Sequence, residues 1–186
     1  MIEQIQTDII PRLDQEIPNQ PSEEELIANP KLHRYMLVCD RECFSADFFY
    51  ELWTKRIAIC TYKKNVKDKW AESDFLEYDE IKDGVVIGKI KLAEKNITLE
   101  TQDKQNKVYC REVRKLTKSG HQTAIITTNW ILSIALIGTY MFARWCQENF
   151  FKYMGENFDI DGLVSYSKEK IDDTKMLINP AYKKLE

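Results

Sequence analysis

The spacing of apolar positions changes character along the chain and sets the expected elements. Ile2, Ile5, Ile9 and Leu13 recur at helical spacing, which predicts an amphipathic opening helix bent by Pro11. Residues 18–30, PNQPSEEELIANP, form a connector with three prolines and an acidic patch, with room for one short helix. Residues 34–42, RYMLVCDRE, are an apolar run of buried-strand type that stops on Asp40. Phe48, Phe49 and Leu52 supply the packed face of a helix over about 45–54, with Ser45 as N-cap. Residues 57–62 read as a second strand. Strand, helix and strand in this order predict a short parallel unit with a right-handed crossover.

From residue 63 to 129 the texture changes to alternation. GVVIGKIKLA (84–93), NITLET (96–101), KVYCREVRKL (107–116) and QTAIITT (122–128) are bounded by turn signals at Asp83-Gly84, Lys95-Asn96 and Ser119-Gly120. They predict antiparallel strands inserted after the parallel unit. Asn129-Trp130 breaks the last strand, and a buried helix is expected from about Leu132. Residues 139–153, TYMFARWCQENFFKY, continue as a helix that is half apolar and half charged ridge. On it Arg144 and Glu148 stand one turn apart, and Lys152 lies a further turn along the same face. Residues 156–166, ENFDIDGLVSY, read as a short return helix, and 167–186 as a charged tail.

Charge modifies this picture only in the middle. The chain has 186 residues, 44% hydrophobic and 31% charged, with formal net charge −3, values of a soluble globular protein. Residues 60–118 carry 14 basic and 11 acidic side chains, whereas residues 1–59 carry 6 and 11 and residues 119–186 carry 7 and 8. The middle third alone is net basic, modest support for a phosphate-contacting surface. The five cysteines form no CxxC pair, and His33 and His121 make no zinc pattern, so reduced thiols in a cytoplasmic protein are expected. No signal peptide opens the sequence. Residues 119–143 carry no charge and have the length of a membrane span, but Thr127, Thr128, Asn129 and Ser133 interrupt them.

The candidate chemistry rests on two carboxylates. Asp40 at the tip of an apolar strand faces the rim where open α/β sheets place their sites. Glu148, on a later helix packed against that sheet, can reach the same rim and share a divalent cation such as Mg²⁺, a hard ion suited to oxygen ligands and phosphate. Each has a plainer reading: Asp40 as a helix N-cap, and Arg144 with Glu148 as a surface ion pair.

Asp40 in LVCDRE, TTN at 127–129 and ARWCQENFFKY at 143–153 together resemble the DDE transposases of bacterial insertion sequences. The family's C-terminal signature is tyrosine, two residues, arginine, three residues, glutamate, six residues, lysine. Arg144 and Glu148 match its centre. The tyrosine position holds Met141, with Tyr140 one residue early, and the lysine position holds Gly155, with Lys152 nearest. The resemblance covers about residues 32–166. It implies an α/β fold: an incomplete ribonuclease H-like core over 32–166, a β-rich insertion at about 63–129 and C-terminal helices, after an N-terminal helix and connector at 1–31. It further implies Asp40 and Glu148 as the second and third catalytic, metal-holding carboxylates, with Mg²⁺ or Mn²⁺ as cofactor. Arg144, Lys152 and Trp70 would contact DNA at transposon ends, Trp70 by stacking on an unpaired base, against the plainer reading of core packing.

The family's first aspartate lies on an early strand. Here a helix and an acidic connector precede Asp40, and Asp8 and Asp14 lie on that helix. The expectation is a truncated, catalytically incomplete transposase that forms a homodimer or pairs with a full-length enzyme. Two alternatives stay open: a non-catalytic DNA-binding or interaction domain derived from a transposase, and a single-span membrane protein.

Overall fold

A computed structural model of the chain describes residues 1–82, 84–142 and 153–154. The chain divides into two compact units, Met1–Arg144 and Trp145–Glu186, and all but two of the described residues belong to the first. Residues 143–152 of the helix expected over 139–153, the return helix expected at 156–166 and the tail at 167–186 lie outside the described residues.

One mixed six-stranded sheet organises the first unit. Its strands are β1 (Tyr35–Val38), β2 (Ile57–Tyr62), β3 (Leu76–Lys82), β4 (Val85–Glu100), β5 (Lys107–Leu116) and β6 (Gln122–Thr127), in the spatial order β1-β2-β6-β5-β4-β3. β1 and β2 are parallel, and every other pair is antiparallel. The parallel unit is therefore present as expected. The antiparallel strands, expected as an insertion beside it, instead continue the same sheet, because β6 pairs directly with β2. The architecture is α/β with a mixed sheet.

Two boundaries differ from the sequence reading. No turn forms at Lys95-Asn96: β4 runs through it unbroken, with Lys95 opposite Glu112 and Asn96 opposite Arg111. β3 had no counterpart in the alternation pattern. Its sequence LEYDEIK forms the edge of the sheet and leaves most side chains exposed, so no apolar stripe marks it.

The chain opens with helices α1 (Ile2–Gln4) and α2 (Ile10–Glu16), joined by a π-helical turn at Ile5–Ile9. Pro11 accounts for the turn. Its ring would press on the carbonyl four residues back, and a widened turn, with Ile10 N–H on the Ile5 carbonyl, relieves this. The extra residue also shifts the stripe, so Ile10 is buried while Ile9 is exposed. Helix α3 (Glu23–Ala28) carries a full capping box between Ser22 and Glu25. Helix α4 (Ala46–Thr54) starts on Ser45, whose hydroxyl accepts the Phe48 N–H. It ends before Arg56, at φ +58°, whose guanidinium binds the carbonyls of Leu26, Asn29 and Pro30.

Because successive strand residues point to opposite faces, Ile59 and Ile126 face one side while Cys60 and Ile125 face the other. On the first face Phe48, Phe49 and Leu52 of α4, with Ile5 and Ile10, cover Leu37, Ile57, Ile59, Val108, Cys110 and Ile126. On the second, a helix over 134–142 lays Ile137, Met141 and Phe142 on Cys60, Ile90, Leu92, Val113 and Ile125. It approaches closely at Gly138, where an added Cβ would lie 2.6 Å from Leu92 Cδ1.

Candidate functional site

Asp40 lies two residues beyond β1, at the C-terminal end of the parallel pair. Cys39 N–H donates to the Cys60 carbonyl at 3.0 Å, and the buried Thr61 hydroxyl donates to the Asp40 carbonyl at 2.7 Å. The Asp40 backbone is thus tied to the end of β2. Its carboxylate is exposed and caps the short turn Arg41–Cys43, with Oδ1 accepting the Arg41 N–H at 2.5 Å. Among the described residues it makes no other hydrogen bond, so Oδ2 is open to solvent or a ligand. Its capping role, the plainer sequence reading, coexists with that availability.

A buried charge network occupies the same sheet face beside it. Thr61 stands next to Ile126 and Ile126 next to Glu112, so all three share the face covered by α4. Glu112, 2% exposed, takes Lys63 Nζ on Oε2 at 2.7 Å and Arg114 Nε on Oε1 at 2.6 Å. Arg114, fully buried, also grips Asp68 with both carboxylate oxygens at 3.0 and 2.9 Å and donates to the Asp68 carbonyl. Hydrogen bonding from Arg114 holds the Asp68 carboxyl below its usual pKa. Burying an arginine is tolerable only with such full pairing.

Trp70 belongs to this network. Its N–H and carbonyl bind the Gln122 side-chain amide at 2.9 and 2.8 Å. The Arg114 guanidinium lies 4.2 Å and Lys95 Nζ 4.5 Å from its ring centroid. The ring packs on Phe75, Ala93 and Leu116 and is half-buried. Sequence reasoning found Trp70 but not Lys63, Glu112 or Arg114. Their signal was weak: two charges alternating on one strand face, Glu112 and Arg114, normally mark a solvated face, and Lys63 follows the end of β2.

The TTN segment organises the opposite face. Thr127 and Thr128 hydroxyls bond the Ile59 carbonyl and N–H, and Asn129 Oδ1 accepts the N–H groups of Ile131 and Leu132 at 2.9 Å each. Arg111, held by both carboxylate oxygens of Glu94, donates to the carbonyls of Asn129 and Leu132. These bonds fix the loop that starts the 134–142 helix. Near the end of that helix the Tyr62 hydroxyl, from the last residue of β2, donates to the Met141 carbonyl at 2.6 Å. Met141, at the tyrosine position of the signature, is therefore buried at the end of β2 from which Thr61 reaches Asp40.

Arg144, Glu148 and Lys152 lie outside the described residues, so their geometry relative to Asp40 is not described. Among the described residues no cluster of three His, Cys, Asp or Glu side chains is arranged to hold a metal, and no helix is long and apolar enough to cross a membrane.

No curated protein and no solved structure matches the chain. One family model does: that of a family described as a transposase protein, matched over residues 1–186. A match over the whole chain places it plainly: the chain belongs to this transposase protein family.

Proposed function

We propose that Asp40 and Glu148 are two carboxylates of a metal-dependent phosphodiester-transfer site of the DDE type, built on a ribonuclease H-like core, and that DNA is the substrate. The observation that carries this reading is the Tyr62–Met141 hydrogen bond. It brings the helix preceding the ARWCQENFFKY motif to the end of β2 that anchors Asp40, seven residues before Glu148 in sequence. Family membership and the parallel β1-α4-β2 unit support it further.

The donor set suits a hard cation. Asp40 offers an open carboxylate oxygen, and Asp40 and Glu148 would hold Mg²⁺ or Mn²⁺, which supplies charge neutralisation at phosphate and a more acidic bound hydroxyl. Arg144 would grip a phosphate as a planar fork and Lys152 as a point charge. Trp70, ringed by two cations, would lie against nucleotides of the transposon end.

Asp14, a carboxylate upstream of Asp40, does not offer itself as a third ligand. It accepts the Tyr35 hydroxyl at 2.5 Å and pairs with Arg34 at 2.9 Å. With Asp14 so engaged, the chain by itself is proposed to be catalytically incomplete, acting with a second copy or another transposase. The test is a nicking and strand-joining assay on plasmid DNA with Mg²⁺ or Mn²⁺. The chain alone should do neither. Cleavage abolished by Asp40→Ala or Glu148→Ala would overturn the incompleteness while confirming the carboxylates, and cleavage that survives both would overturn the site.

A further inference from the structure

At the β3 side of the sheet an open groove of about 610 Å³ is lined by Lys89, Lys91, Lys115 and Lys118, against Glu72 and Glu77. In a chain of net charge −3 this is a local reversal of sign. Lys89 and Lys91 come from β4, Lys115 from β5, and Lys118 from the turn between β5 and β6. Lys89 is engaged by Asp79 at 2.5 Å. Lys91, Lys115 and Lys118 make no ion pair among the described residues. Lys91 and Lys118 are exposed, and Lys115 lies over the Phe142 ring at 5.3 Å.

We infer that this groove holds the sugar–phosphate backbone of DNA on β4 and β5, away from the Asp40 turn, with Leu116 shared between its lining and the packing of Trp70. The inference rests on the proposed DNA substrate and adds the surface that carries part of its affinity. Unneutralised lysines are what phosphate contacts require, since each contact releases counterions. Protein–protein interfaces, by contrast, are depleted of lysine and centred on aromatic anchors, and no aromatic side chain lines this groove. Lysines acting as point charges give no base readout, so the groove binds without sequence preference.

The test is fluorescence anisotropy with a labelled DNA duplex in EDTA, which separates this surface from metal-dependent chemistry at Asp40. Lys91→Glu/Lys118→Glu should weaken binding at low salt at least tenfold and lower the slope of log K against log salt by about 1.8, two lost phosphate contacts. Lys31→Glu/Lys104→Glu, with the same change in net charge, should have little effect. Lys91→Gln/Lys118→Gln, a gentler change, should weaken binding in the same direction if the first pair disturbs folding. Equal loss in the remote pair, or an unchanged slope in both groove pairs, overturns the inference. Polyglutamate displacing the duplex as well as unlabelled DNA of equal charge does so too, since it would assign the groove to an acidic protein. Unchanged binding in the groove pairs alongside metal-dependent behaviour that needs Asp40 would leave the catalytic proposal standing alone.

Discussion

Glu112→Gln isolates the energetic role of the buried charge network. Glu112 is 2% exposed and is the shared anion between Lys63 at 2.7 Å and Arg114 at 2.6 Å. The amide preserves shape but removes the charge and turns one acceptor into a donor facing a cation. Breaking a buried ion pair by removing one partner costs about 3–5 kcal/mol. Two features place this case at the lower end: Arg114 keeps its bidentate Asp68, and Lys63, 22% exposed, reaches partly into solvent. A loss of about 3 kcal/mol corresponds to a fall in Tm of roughly 6–12 °C for a chain of this size. Urea unfolding at neutral pH should show it as a lower midpoint with unchanged slope. The apolar triple replacement Lys63→Met/Glu112→Leu/Arg114→Met should cost less than Glu112→Gln alone, because no buried charge is then stranded: Asp68, which loses Arg114, is 62% exposed and stays solvated. A Glu112→Gln loss within about 0.5 kcal/mol, the range of an ordinary surface change, would refute the reasoning.

Three further expectations follow from other parts of the molecule. Gly138→Ala should destabilise by about 1–2 kcal/mol, because a Cβ 2.6 Å from the fully buried Leu92 outweighs the helix-propensity gain of about 1 kcal/mol; Leu92→Ala in the same chain should recover part of the loss by making room, measured in a double-mutant cycle. His33 is buried against Trp53, and desolvation followed by the nearby Arg56 charge lowers its pKa from 6.5 to about 4. The unfolded chain therefore binds the proton more readily, and stability should be complete above pH 6.5 and fall by up to about 3 kcal/mol as pH drops from 6.5 to 4, a slope that His33→Phe removes in pH-dependent urea unfolding. Asn129→Ala should cost about 1–2 kcal/mol by orphaning the N–H groups of Ile131 and Leu132, whereas Asn129→Asp should retain most of the stability, both read by thermal unfolding.

The parallel unit was legible because its determinants are local. Leu37, Ile57, Ile59 and the Phe48–Phe49–Leu52 face announce strand and helix within a few residues of each other, and Ser45 marks the helix start. The position of Asp40 just beyond β1 was legible for the same reason, as the first charge after an apolar run. The remainder depends on distant partners. Arg114 meets Asp68 across 46 positions and Lys63 meets Glu112 across 49, so nothing local distinguishes these buried charges from a solvated strand face. Lys95-Asn96 has turn chemistry, yet cross-strand pairing with Glu112 and Arg111 keeps it extended. The shift from Ile9 to Ile10 needed the π turn, which Pro11 favours but the apolar spacing alone does not encode. The expectation of a transposase came from ordered motifs rather than from composition, whose net negative charge points weakly away from DNA.

The most direct test of the central claim is iron-directed backbone cleavage. Fe²⁺ substituted for Mg²⁺, with ascorbate and peroxide, generates hydroxyl radicals that cut the chain within a few ångströms of the bound ion, and the fragments are mapped by mass spectrometry. If Asp40 and Glu148 share metals spaced by about 4 Å, cuts should cluster in two segments, around residues 38–42 and 146–150. Both clusters should vanish together in Asp40→Ala and in Glu148→Ala, but persist in Asp14→Ala. Cleavage at one segment alone, or loss of one cluster without the other, would contradict the shared site.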